Sequence, residues 1–469
     1  MDKVMASPAD AIADLAEGAS IAIAGFGLSH RFPSSLLAAT RDKGTKNLCL
    51  VCNSLGAADE LRAQMLVNNG QVNRLIVSFS ARPGMPSRAE ELIAAGEVSV
   101  ELVPQGTLVE RLRAGGAGLA AFFTPTGAGT PIAAGKEVRY FDGKPYVLET
   151  ALRVDYAFLR AHRADRMGNL QVRGGSQNFN PSFATGARVA IAEVDEIVEV
   201  GEIPPDQVGL PGVFISRVVK STVTIRLEDV MPTRRSRPAD VPRQYGGKPG
   251  LTRAAMARRA AELLPEGSVV NLGIGIPTLV SNYLADRDVQ LHAENGVLGY
   301  GKIVTGDEVD PDVYNAGGQF VSLRPGASFF DSVTSFEIAR SGKLHAVILG
   351  AYQVDARGNL ANWSTPEQVG GGIGGAMDLV AGASTVIIIM EHRDSRDRPK
   401  LVQQCAYPLT AIECVDVVIT DLALLRRRDG VMWLDEVAPG FTAEEVLALT
   451  DMDVKVAPTV GVMKGDEST

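Results

Sequence analysis

The feature that most narrows the fold is an order of elements that occurs twice. Ser7, Pro8 and Asp10 supply an N-cap, a proline at the first helical position and an acid in the first turn, which predicts a helix to about residue 16. Glu17-Gly18, a strand over 20–24, a Gly25-Phe26-Gly27 loop and Pro33 opening another helix then follow. The same order returns from Thr252. It caps a helix with Met256, Ala260, Leu263 and Leu264 on one face, and Glu266-Gly267, a strand over 268–272, Gly273-Ile274-Gly275 and Pro277 come after. Gly25 and Gly273 stand 248 residues apart. A second echo sets DRMGNL (165–170) against DARGNL (355–360), each followed by an apolar strand, at 189–192 and 386–390. Two related halves explain both echoes.

A chain of 469 residues is long enough for two such halves, each with its own core. Between them, residues 231–250 hold four prolines, three glycines and five Lys or Arg with no apolar period, which reads as a linker. The expected division is therefore 1–230, a linker over 231–250, and 251–469. Short β-branched runs at 347–349, 386–390 and 417–419 alternate with helical stretches. That is the pattern of α/β domains, here two related open sheets of largely parallel strands covered by helices.

Several function classes drop out. The net charge is -9, and the basic runs at 234–237 and 426–428 are short and isolated, so nucleic acid is not an expected partner. The first residues include an acid and form no apolar core of a signal sequence. No run approaches the roughly 18 apolar residues of a membrane span, so a soluble, cytoplasmic protein is expected. Cys49 and Cys52 form a CxxC, but inside an apolar run that reads as a buried strand. With no second CxxC or histidine pair to complete four ligands, no metal is expected.

Two segments could carry chemistry. Glu294 follows the apolar run 289–293 and heads the glycine-rich turn Glu294-Asn295-Gly296, where an α/β sheet presents side chains to a ligand. Taken alone, an acid there is as readily a helix cap or a solvated loop residue. Residues 370–378 are too rich in glycine for a helix interior, and a helix is expected to begin at about Asp378. Backbone amides at such a start can hold an anion or a polarised carbonyl oxygen, although a plain loop would have the same composition. Neither glycine loop passes as a dinucleotide fingerprint, because no acid follows about 20 residues on in a βαβ setting.

The second half closely resembles the β-subunit-like half of succinyl-CoA:3-ketoacid coenzyme A transferases, class I enzymes of the 3-oxoacid type. The matching pieces are NLGIGIP (271–277), ENGVLG (294–299), PGASFF (325–330), LGAYQV (349–354), GNLANW (358–363) and GGAMDL (374–379). The first half resembles the α-subunit-like part through GFGL (25–28), PQGTL (104–108), RAGGAG (113–118), FTPTG (123–127) and ADRMGN (164–169). The resemblance implies that Glu294 is the catalytic glutamate, acylated first and then converted to a glutamyl-CoA thioester in ping-pong exchange. It implies that Asn53, Gln105 and Asn271 line the site and that the Gly375 amide belongs to the oxyanion site. Gly273, Gly275, Gly372, Gly374 and Ala376 would form CoA-binding loops. Coenzyme A thioesters and small carboxylic acids are then substrates, no cofactor is implied, and a homodimer is expected.

The chemistry of the residues agrees with that resemblance. A carboxylate is a competent nucleophile for acyl transfer, and exchange between a thioester and an acid is nearly neutral in energy, so neither a metal nor a nucleotide is required. Anhydride and thioester intermediates need shelter from water, which a cleft between two halves provides. The sequence also departs from the family. Lys302 follows Gly301 where a proline is usual, Asn315-Ala316-Gly317-Gly318 replaces Asn-Ala-Gly-Lys, Gly382 to Ser384 stand where many relatives place a lysine, and residues 78–86 do not match. These leave the accepting acid open between acetoacetate, favoured by the resemblance, and 3-oxoadipate. An acyl-CoA hydrolase and a non-catalytic ligand sensor are the alternative readings of the same scaffold.

Overall fold

The computed structural model describes residues 2–27, 31–56, 61–80, 87–223 and 240–465. Leu28, residues 81–86 of the departing loop and residues 231–239 of the expected linker lie outside the described residues. In the first half, β1 (Ser20–Ile23), β2 (Leu48–Ser54), β3 (Val72–Phe79), β4 (Ser99–Leu102), β5 (Val154–Asp165), β6 (Ala187–Val198) and β7 (Arg217–Lys220) pair in the order β7-β6-β5-β1-β2-β3-β4, every pair parallel. In the second half, β8 (Ser268–Leu272), β9 (Val289–Ala293), β10 (Val297–Ile303), β11 (Val321–Phe329), β12 (Ala346–Leu349), β13 (Thr385–Ile389), β14 (Val417–Ile419), β15 (Ala423–Arg428), β16 (Val431–Val437) and β17 (Lys455–Val462) form a ten-stranded sheet. Its order is β11-β10-β9-β8-β12-β13-β14-β15-β16-β17.

The echo in the sequence is an echo in topology. The parallel path β2-β1-β5-β6-β7 of the first sheet recurs as β9-β8-β12-β13-β14 in the second. Strands β12 and β13 are covered on both faces, which is why they read as unbroken apolar runs and not as alternation: all of β12 is buried, and in β13 only Thr385 is partly exposed. The second sheet is less uniform than the sequence suggested, because the β9–β10, β10–β11, β14–β15 and β15–β16 pairs are antiparallel.

The DRMGNL and DARGNL motifs build the same turn twice. Asn169 donates its backbone N–H and its side-chain amide to the two oxygens of Asp165, at 2.9 and 2.8 Å. Asn359 does the same to Asp355 at 3.0 and 2.9 Å. Gly168 and Gly358 sit at φ +89° and +81°, a conformation that favours glycine. Each Asn carbonyl then accepts a distant backbone N–H, from Gly212 at 2.9 Å and from Glu413 at 2.8 Å.

Three local expectations need correction. The first helix, α1, is only Pro8–Ala11, because the chain turns there to keep both Ile12 and Leu15 buried against the sheet. The helix placed at Asp378 begins two residues earlier, at Ala376. Residues 240–250 also have structure of their own: Gln244–Tyr245 and Lys248–Pro249 pair as a hairpin around Gly246 and Gly247, both at positive φ. Tyr245 Oη donates to Asp421 Oδ2 at 2.8 Å, so this piece is fastened to the second half. All four cysteines are free thiols, Cys52 buried and Cys49 only partly so, and no described helix is long and apolar enough to cross a membrane.

Candidate active site

The carboxyl ends of the two sheets face each other, and main-chain contacts join them. Phe79, ending β3, bridges to Gly372, and Ser80 N–H donates to Gly371 O at 3.0 Å. Helices α2 (Ser34–Lys43) and α3 (Gln105–Gly116) cover the first sheet, and the N–H of Gln105 donates to Gly374 O at 2.9 Å. Helices α4 (Arg253–Glu262), α5 (Ser332–Arg340) and α6 (Ala376–Gly382) belong to the second half. Further along the boundary, Arg31 makes a two-pronged contact with Asp312 at 2.8 and 2.9 Å and also pairs with Asp195.

Glu294 leaves the end of β9 and is 7% exposed. Gly296, at φ +99°, makes the turn possible, since a Cβ there would lie 1.9 Å from Phe330 O. The Oε2 atom of Glu294 and the Oδ1 atom of Asn271 are buried with no hydrogen-bond partner among the described residues. Unpartnered buried acceptors are uncommon in folded proteins, and their concurrence at one sheet edge marks a place where a polar ligand would be satisfied. Ser54 Oγ and Ser78 Oγ, near the carboxyl ends of β2 and β3, are in the same condition.

Four other residues singled out in the sequence converge here. Gln105 and Asn53 are buried, and the Gln105 side chain donates to Asn53 Oδ1 at 2.7 Å. A Cβ on Gly375 would stand 2.9 Å from Gln105 Oε1, 3.1 Å from a Phe336 ring carbon and 3.3 Å from Glu294 Cγ. Gly375 therefore touches the first half and the carboxylate at once. Asn271 is in register with His292 on the neighbouring strand.

The glycine loops divide. Gly372 and Gly374 are packed against Phe79, where a Cβ on Gly374 would meet the ring at 2.7 Å, and Ala376 opens α6. Gly273 lies close to Ile348 and Leu349. Gly275, at φ +97°, has no atom within 4 Å of a Cβ position, and Ile274 beside it is 63% exposed.

Burial is the main force on the charges. It raises the pKa of Glu294 from its ordinary 4.5 to about 7; its own backbone amide and the Asn271 side chain pull it down, and the charge of Asp378 raises it further. His292, fully buried, is pushed down to about 4 and is a neutral imidazole at pH 7. Asn271 Nδ2 faces the His292 carbonyl oxygen at 3.2 Å and its Nδ1 at 3.1 Å. A carbonyl oxygen only accepts, so the amide orientation follows, and Nδ1 must accept as well. The ring proton then sits on Nε2, 3.0 Å from Ser335 Oγ. His292 thus points the carbonyl oxygen of Asn271 away from itself. His292 is the fourth residue of β9, and Glu294 stands in the turn that begins directly after Ala293 ends the strand.

The model of the Coenzyme A transferase family matches residues 5–221 and 253–449. The chain belongs to the coenzyme A transferase family and is an enzyme that moves CoA between acyl-CoA thioesters and carboxylic acids. It is 38% identical, over 98% of its length and 91% of the relative's, to the mitochondrial succinyl-CoA:3-ketoacid coenzyme A transferase 2A of Rattus norvegicus. Acetate CoA-transferase subunit beta of Escherichia coli K12 is 45% identical over 45% of this chain and 97% of that subunit. Among solved structures, an acyl-CoA transferase from E. coli O157:H7, in a thioester complex with CoA, has the same fold. It superposes with a TM-score of 0.81 at 20% identity, covering 99% of this chain and 95% of that one. The sequence expected a cytoplasmic protein, whereas the rat relative is mitochondrial by name.

Proposed function

We propose that the chain is a 3-oxoacid CoA-transferase that takes CoA from succinyl-CoA and gives it to a 3-oxoacid such as acetoacetate, with Glu294 as the nucleophile. Residues 1–230 and 251–469 act as its α-subunit-like and β-subunit-like halves. The observation that carries the reading is a buried carboxylate with an unspent oxygen, set between Asn271, Gly375 and Gln105 where the two halves meet. The full-length likeness to the rat enzyme supports the choice of donor and acceptor.

In the first step a Glu294 oxygen attacks the thioester carbonyl carbon, the C–S bond breaks and CoA leaves as thiolate. The thiolate then attacks the glutamyl carbon of the mixed anhydride and releases the donor acid, leaving CoA on Glu294. The accepting carboxylate attacks this thioester, a second anhydride forms with loss of thiolate, and the thiolate returns to the acceptor's acyl carbon, freeing Glu294. Each tetrahedral intermediate carries an oxyanion, for which the Gly375 amide at the start of α6 is the candidate donor. Gly273 and Gly275 border the path of CoA with Ile274 at its rim. Gly372, Gly374 and Ala376 complete the CoA-binding loops, and the two glycines also pack against Phe79 of the first half. A carboxylate of pKa about 7 is ionised often enough at neutral pH to attack, yet it is less stabilised by solvent than one in water.

Incubation with succinyl-CoA and no acceptor tests this directly. The protein should gain the mass of one CoA less one water, and peptide mapping should place the adduct in residues 288–302. An adduct on a cysteine, or a Glu294→Gln variant that exchanges CoA at near-normal rate, sinks the reading. Double-reciprocal plots should be parallel, since the first product leaves before the second substrate reacts. A panel of acids with succinyl-CoA fixed as donor then separates acetoacetate from 3-oxoadipate. The family resemblance also leads us to expect a homodimer, which light scattering measures.

A further inference from the structure

A second buried carboxylate stands at the boundary between the halves, and the transfer steps make no use of it. Asp378, in the first turn of α6, is fully buried. Its Oδ2 accepts the backbone N–H of Gly106 at 2.9 Å. Its Oδ1 accepts Thr126 Oγ1 at 3.0 Å and Arg340 Nη1 at 3.2 Å. Gly106 and Thr126 belong to the first half, Arg340 and Asp378 to the second.

The fit is tight. A Cβ on Gly106 would come within 2.2 Å of Asp378 Oδ1, and one on Gly382, at the end of α6, within 2.1 Å of Ala339 O. Two glycines thus let α3, α5 and α6 close around this one carboxylate. Gly106 follows Gln105, and Asp378 lies three residues beyond Gly375, so its hydrogen bonds tie together the two backbone segments that flank Glu294.

We propose that Asp378 is a positioning residue for CoA transfer: its carboxylate, held by Arg340, sets Gln105 of the first half against Gly375 of the second. The inference rests on the reading of Glu294 as the nucleophile. The charged groups that face this carboxylate are Arg340 on α5, Glu294 at the end of β9 and, behind Arg340 at 3.6 Å, Glu110 on α3, itself paired with Arg113. Burial holds the pKa of Asp378 above its ordinary value, while Arg340, the Gly106 amide and Thr126 pull it back. The charge of Asp378 in turn raises that of Glu294.

Displacement of one pH profile tests the proposal. Removing the negative neighbour in Asp378→Asn favours the ionised form of Glu294, so the acidic limb of kcat/KM should move to lower pH. Removing the guanidinium in Arg340→Gln takes away what holds Asp378 ionised, so the limb should move the same way, and Arg340→Lys should restore it. In Asp378→Asn, kcat should also fall by about 10- to 100-fold, the range expected when reacting groups are slightly misplaced, with KM for acyl-CoA little changed. Damage to packing alone lowers activity but does not move the limb to lower pH. If Asp378→Asn does not fold, Arg340→Gln decides alone, and an unmoved limb overturns the proposal. Mapping of the wild-type adduct separates the two ideas. An adduct on Glu294 with unmoved limbs defeats only the role of Asp378, whereas an adduct elsewhere defeats the reading beneath it.

Discussion

A nucleophile at Glu294, as proposed, must be ionised to attack, and Glu294 lies where ionisation is disfavoured. Its raised pKa is also a statement about stability. Between its unfolded value of 4.5 and its folded value of about 7, the native state keeps a proton that the unfolded chain has lost. Stability therefore falls as pH rises through that window, by about 3 kcal/mol from this group alone. Glu294→Gln cannot ionise, so it should melt higher than the wild type at pH 8 and close to it at pH 4.5, as paired thermal denaturation curves would show. An unchanged difference between the two pH values would mean that the carboxylate is not desolvated. Gly375→Ala probes the same place from the side. Its Cβ would press on Gln105 Oε1 and Glu294 Cγ at 2.9 and 3.3 Å, so kcat should drop by about 100-fold while the protein stays folded, as steady-state kinetics and circular dichroism would check. Glu294, Asn53, Gln105, Asn271 and Gly375 were all legible as candidates, but only through many motifs in family order. The roles of His292 and Asp378 were not, because a neutral ring that aims an amide and a carboxylate that crosses between halves exist only in three dimensions.

At the scale of elements, what repeats was readable and what occurs once was not. Two Gly-x-Gly loops and two Asp-x-x-Gly-Asn-Leu turns foretold a shared strand order, because each motif carries its own hydrogen-bond scheme within a few residues. The Asn359 side chain bonds Asp355 and Glu413 at once, so Asn359→Ala should cost about 1–3 kcal/mol in chemical denaturation while the remaining folded protein keeps normal kcat. A loss of activity out of proportion to the loss of stability would place this turn in the site. The antiparallel flanks of the second sheet escaped notice because pairing direction leaves no mark on a short apolar strand. The hairpin at 244–249 was hidden by its two-residue strands, although Gly246-Gly247 is a recognised turn signal.

The two halves share one hydrophobic core, and hydrogen bonds and ion pairs join them across the middle, among them Arg31 with Asp312, Gly106 with Asp378, Ser80 with Gly371, and Gln105 with Gly374. These contacts do not depend on the covalent link, and acetate CoA-transferase subunit beta, which matches less than half of this chain, is a separate polypeptide. Co-expressed fragments 1–239 and 240–469 should therefore purify together and exchange CoA. Cutting before residue 240 keeps the hairpin with the half to which Tyr245 binds. Fragments that fold singly but never meet would show that the link does more than connect.

The glycine loop lying across the end of β3 has a consequence for how the enzyme behaves in dilute solution. With Gln105 on one side of the boundary and Glu294 on the other, completing the site is a bimolecular event for separate fragments and a unimolecular one for the single chain. A tether of this kind gives each half an effective concentration of its partner on the order of millimolar. As far as the meeting of the two halves is concerned, specific activity of the intact chain should hold constant on dilution, whereas that of the cut protein should decline once its concentration falls below the dissociation constant of the halves.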